Sequence, residues 1–199
     1  MVSGKGCWIS LGIQRMSEQL VQYITMLYRA VPSGVYLSLF FLFCLVGVII
    51  IAIYGINRGW RKIVRLVLVE YVFFIYCSTV FFRTYFEERG YNYNFFWSYK
   101  AIREGREELF AENIMNVVVF VPIGILLCYA FRYIKWWQIL LVGGLISVSI
   151  EAMQYGFNRG FAETDDVMHN TFGYILGYGV FLMIQGLWRK VHSNKRFEG

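Results

Sequence analysis

From Gly34 to Ile56 the chain carries no charged residue. A helix needs about 20 apolar residues to cross a bilayer, and inside lipid each backbone N–H and C=O must be paired within the segment. The stretch therefore predicts a transmembrane helix, and a chain whose solvent is lipid. Further apolar runs predict a second span over about 66–82, a third over 113–131, a fourth over 139–157 and a fifth over 167–188. Charged residues make up only 16% of the chain and sit in blocks between these runs, where a soluble domain would scatter about 25%. The expected fold is all-α: a polytopic membrane helical bundle of about five transmembrane helices.

The first 33 residues behave differently. Ile9, Ile13, Met16, Leu20, Ile24, Leu27 and Val31 recur every three or four positions, with Gln14, Arg15, Glu18, Gln22 and Arg29 on other faces. This period predicts an amphipathic helix, lying in the membrane interface or packed on the bundle. No continuous apolar core follows Lys5, so a signal peptide is not expected. The chain divides into this segment (1–33), the first span with a basic loop (34–65), a membrane domain (66–188) and a basic tail (189–199).

Lys and Arg concentrate in the 57–65 loop, the 132–137 turn and the tail, which together hold ten of them. The 83–112 and 158–166 loops hold six, alongside nine acids. Basic residues stay inside, so the C-terminus is expected in the cytoplasm and the 83–112 and 158–166 loops outside. The net charge of +6 lies beside spans, where anionic lipid headgroups account for it and nucleic acid is not implied. Cys7, Cys44, Cys77 and Cys128 are far apart in sequence, which does not suit a zinc or redox site. His169 has no second histidine or cysteine near it, so neither a metal nor a cofactor is expected.

Polar side chains inside spans cost free energy, about 2.5–3.5 kcal/mol for a central Asp on insertion scales, and turn toward the bundle interior. On the fourth span Ser147, Glu151, Gln154 and Asn158 share one helical stripe. On the fifth, Asp166, Asn170, Gly173 and Gly177 do the same. Asn113, Asn116, Phe120 and Gly124 repeat the pattern on the third. All three stripes reach the outward half of the membrane and predict a pocket. Each residue also has a plainer role open to it. The amides can act as interhelical hydrogen bonds, Asp166 can cap its helix, and the glycines can let helices approach. Glu70, read as lying near the cytoplasmic end of its span, can pair with Lys62 or Arg65. Glu151 is the hardest to explain by packing, and Arg83 and Arg159 are its expected cationic partners.

Asn116-Val-Val-Val-Phe120-Val-Pro122-Ile-Gly124, then Glu151-Ala-Met-Gln154, Arg159, Asp165-Asp166, Asn170 and the Gly173/Gly177 pair resemble, in order and spacing, the VanZ-like family. Arg83 stands where these proteins carry an arginine after an earlier span. The 94–98 stretch departs from the family pattern by lacking its proline. The resemblance covers roughly 66–188. It implies a bacterial cytoplasmic-membrane protein, and the family's namesake is associated with low-level resistance to the lipoglycopeptide teicoplanin. No reaction follows from it.

Two functional classes remain open, and a third fares worse. A non-catalytic envelope protein would bind an amphiphile, a lipid-linked cell-wall precursor or the antibiotic itself, in a pocket of Arg83, Asn113, Asn116, Glu151, Gln154, Arg159, Asp165, Asp166 and Asn170. A membrane enzyme acting on a lipid-linked substrate would use Glu151 or Asp166 as acid/base, with Arg83 or Arg159 holding phosphate. A transporter is disfavoured, because five spans contain no inverted pair of halves.

Overall fold

The structure, a computed structural model, describes residues 14, 16–22, 24–25, 29, 31–88 and 90–194, apart from the side chains of 56–58 and 192–194. The amphipathic helix expected over 1–33 falls largely outside the described residues, as do Lys195 and Arg196 of the tail. Among the described residues, five helical segments are long and apolar enough to cross a membrane: Ser33–Gly55, Gly59–Phe81, Glu108–Ala130, Trp136–Gly156 and Thr164–Val191.

The first two spans form one continuous helical run, α1 (Ser33–Tyr76), broken at Gly55 by φ 68° and ψ 162°, a conformation open to glycine. The chain doubles back there. Tyr36 and Phe74, equidistant from Gly55, stack with ring centroids 5.3 Å apart. Residues 57–65 are thus not the loop expected from their charge; they are helical and carry the basic residues on the first turns of the second span. The cations bind locally. Lys62 sits over the Tyr54 ring, and Arg65 donates from Nε to the Ala130 carbonyl at 3.2 Å while lying over Phe131. Neither reaches Glu70, which stands in the middle of the second span rather than near its end.

A π-helical turn, Cys77–Phe81, finishes the second span. The last carbonyls of a helix lack partners within it, and the Thr79 carbonyl accepts from Gln154 Nε2 at 3.1 Å. The chain then forms strand β1 (Gly90–Asn92), short helix α2 (Trp97–Arg103), α3 (Glu108–Ala130), α4 (Trp136–Gly156), strand β2 (Phe161–Glu163) and α5 (Thr164–Asn194). The strands pair in parallel, Gly90 with Phe161 and Asn92 with Glu163. This small sheet is an addition to the expected all-helical fold. The 158–166 loop is also shorter than expected, since Asp165 and Asp166 lie in the first turn of α5.

The core forms where α3 and α5 meet backbone to backbone. A Cβ on Gly124 would strike the Tyr174 carbonyl, one on Gly173 the Val117 carbonyl, and one on Gly177 the Val121 carbonyl. Small residues at this spacing allow close helix contact in lipid, where packing rather than water exclusion drives association. Tyr174 is fully buried, its ring edge-on to Phe120 at 5.3 Å and covering Gly143 of α4. The second span joins this core through Leu68, Ile75 and Val80, and Tyr71 donates to the Val119 carbonyl at 2.8 Å. The first span contrasts with it: none of its most apolar window is buried against the rest of the chain.

Candidate functional site

Successive side chains on a helix diverge by about 100°, so Asp165 and Asp166 leave the start of α5 in different directions. Asp165 is fully buried. Its Oδ1 accepts from the Phe96 N–H at 2.6 Å, and its Oδ2 accepts from the Ser98 N–H at 3.0 Å and the Ser98 hydroxyl at 2.7 Å. Those N–H groups are at the open N-terminus of α2, where a carboxylate is the favoured cap. Asn113 adds a bond from Nδ2 to Ser98 Oγ at 3.1 Å. Asp165 and Asn113 therefore clamp α2 onto α3 and α5. Beside them Tyr99 of α2 meets His169 Nε2 at 2.8 Å.

Gln154 and Arg159 hold the segment that follows the second span. Besides the Gln154 bond to Thr79, Arg159 Nη1 donates to the Arg83 carbonyl at 2.5 Å, and the Arg159 N–H donates to the Gln154 carbonyl at 2.8 Å. Arg159 is thus not the side-chain partner of Glu151. The guanidinium of Arg83 rests on Gly160, where a Cβ would lie 3.0 Å from Nη1. Its charge acts on both Glu151 and Asp166.

Two acids feel that charge, and a third adjoins them. Asp166 accepts from Asn116 Nδ2 at 2.7 Å. Glu151, 7% exposed, accepts at Oε2 from the Glu163 N–H at 2.9 Å, so β2 is pinned to α4 by this carboxylate. Glu163 in turn accepts from the Trp97 indole N–H at 3.1 Å. It lies outside the spans, and its carboxyl is pushed up to about 8, first by burial and then by the neighbouring charges of Asp166 and Glu112. A pocket of about 460 Å³ opens onto Glu151 and Glu163, walled by Tyr93, Tyr155, Ala152 and Val167.

The expected stripes thus converge only in part. Asn116, Glu151, Asp166 and Arg83 come together. Asn170 sits one helical turn deeper, donating to Ser147 Oγ at 2.9 Å and tying α5 to α4. Asn113 and Asp165 belong to the α2 clamp, and Gln154 and Arg159 to the Arg83 support. Sequence reasoning missed Glu163, Glu112, Ser98 and the tyrosines. Glu163 and Glu112 read as loop acids, and the available signal was the glutamate directly before Thr164-Asp165-Asp166.

The sequence model of the VanZ/LLP1 family matches residues 39–185. A curated relative, Protein VanZ of Enterococcus faecium, is 33% identical over 89 residues, covering 45% of this chain and 53% of that protein. The chain spans about half the length of this curated relative. No solved structure matches. The family match takes in the second, third and fourth spans whole and most of the first and fifth, together with both polar clusters, and on that extent the chain belongs to the VanZ/LLP1 family.

Proposed function

We propose that this protein is a non-catalytic binder of the bacterial cell envelope, whose Glu151 pocket takes the polar head of an amphiphile. The candidate ligands are a lipid-linked cell-wall precursor or the acyl-glycopeptide body of a lipoglycopeptide, and binding lowers susceptibility to drugs such as teicoplanin. The observation that carries this reading is a nearly buried carboxylate bordering a pocket at one end of the bundle, where a head group can reach it while tails stay in lipid. The similarity to Protein VanZ adds support. The proposed orientation places this pocket outside and the C-terminus inside, on the density of basic residues. A cysteine replacing Arg61 should then resist an impermeant maleimide in intact cells, while one replacing Phe161 reacts. Reversed labelling would move the site to the inner face.

The test of binding is graded. Glu151→Gln keeps an acceptor and adds a donor, whereas Glu151→Ala leaves a void and strands the Glu163 N–H. In cells expressing each variant at matched membrane levels, the inhibitory concentration of teicoplanin should fall partly for Gln and further for Ala. A second reading, an enzyme on a lipid-linked substrate, is favoured by the nearness of two acids, Glu151 and Asp166, to the one Arg83 charge that acts on both. General acid/base catalysis needs the titrating proton. Equal and complete loss for both variants would decide for it.

A further inference from the structure

Among the described residues, the acids around the pocket outnumber the cation that opposes them. Glu151 and Glu163 line the space. The charges of Asp166 and Glu112 act on Glu163, and Arg83 is the cation that acts on Glu151 and Asp166. Arg159, the other expected cation, is held at the Arg83 carbonyl. Acceptors are left open. Glu151 is 7% exposed and uses Oε2 for the Glu163 N–H, while its Oε1 has no hydrogen-bond partner among the described residues. Glu163 uses Oε2 for Trp97, and its Oε1 has no such partner either. An open acceptor on a nearly buried side chain that borders a cavity calls for a donor from outside the chain.

The remaining wall is aromatic. Tyr93 and Tyr155 line the pocket, and Tyr91 links them, stacked on Tyr93 at 4.9 Å and edge-on to Tyr155 at 6.2 Å. Tyrosine faces attract cations through the ring quadrupole. Carboxylates and tyrosines together suit a positive head group, and a phosphate would meet the acids with Arg83 set back against Gly160.

We infer that the head group selected by the Glu151 pocket is a primary ammonium rather than a phosphate, an inference that rests on the binding reading above. A primary ammonium offers three N–H donors to the open carboxyl oxygens, and its charge favours the ionised form of the Glu163 carboxyl, which burial otherwise holds protonated; a trimethylated one keeps the charge and loses the donors. Two sources supply such a group: an aminolipid head and the free amine of a lipid-linked peptide.

The test uses the purified full chain in detergent micelles and native mass spectrometry. Phosphatidylethanolamine, its N-acetylated derivative, phosphatidylcholine and phosphatidylglycerol are offered in equal amounts. The ethanolamine lipid should be retained at least tenfold over the N-acetylated and glycerol lipids, with the choline lipid in between. This comparison on the unaltered protein needs no variant to fold. In Glu151→Gln the preference should shrink toward that of the other lipids. Displacement of the ethanolamine lipid by an acylated peptide with a free lysine amine would assign the amine to a peptide source, and failure to displace would assign it to the lipid head. Equal retention of all four, or preference for phosphatidylglycerol, overturns the inference. If that happens while Glu151→Ala still lowers the teicoplanin inhibitory concentration, the binding reading stands without it.

Discussion

Asp165 and Asp166 are sequence neighbours on the same turn, yet they serve two unlike regions. On the Asp165 side both carboxylate oxygens are engaged, by three hydrogen bonds from Phe96 and Ser98, and Asn113 completes the set. On the Asp166 side, among the described residues, Asn116 supplies one bond, and the neighbourhood is other acids and a single guanidinium. The first arrangement has the form of a structural clamp, in which a buried polar group is matched atom for atom. The second leaves acceptors facing a cavity, which stability alone does not explain. Satisfaction of the polar atoms, rather than their number, separates the two regions.

That contrast can be broken by mutation. Asp165→Ala removes three bonds and strands two N–H groups at the start of α2. It should cost about 3 kcal/mol or more, lowering the thermal midpoint of the detergent-solubilised protein far more than Glu151→Gln does. Equal midpoints for the two variants would erase the distinction between clamp and pocket.

The smallest effect sharpens the comparison through pH. The Glu163 carboxyl is raised from an ordinary 4.5 to about 8, mainly by burial. Between those values the folded protein holds a proton that the unfolded chain has released, so folding stability declines as pH rises through the window. Glu163→Gln should flatten that decline in thermal midpoints measured from pH 5 to 8. An unchanged slope would place its origin elsewhere in the acid cluster.

Much of this was legible beforehand because hydropathy and helical period are local. Apolar runs marked all five spans, and the four- and three-residue spacing of Ser147, Glu151 and Gln154 placed them on the buried face they occupy. The Gly173/Gly177 pair likewise announced a close helix contact. The Gly55 reversal was not legible, because four cations within eight positions resemble a loop, while Arg61, Lys62 and Arg65 each find a local place on an aromatic ring or a backbone carbonyl.

By itself, then, the sequence determined that the chain is helical, that it crosses a membrane about five times and which faces turn inward, since each of these follows from properties summed along a short segment. Only the tertiary structure decided the partners. Asp165 meets Ser98 across 67 positions, and Arg159 meets the Arg83 carbonyl across 76. A parallel strand pair brings Tyr93 beside Glu163 and so turns two loop segments into the wall of a pocket. Side chains of the same type on the same stripe became clamp or pocket according to which distant donors the fold delivered to them, and no local pattern encodes that delivery.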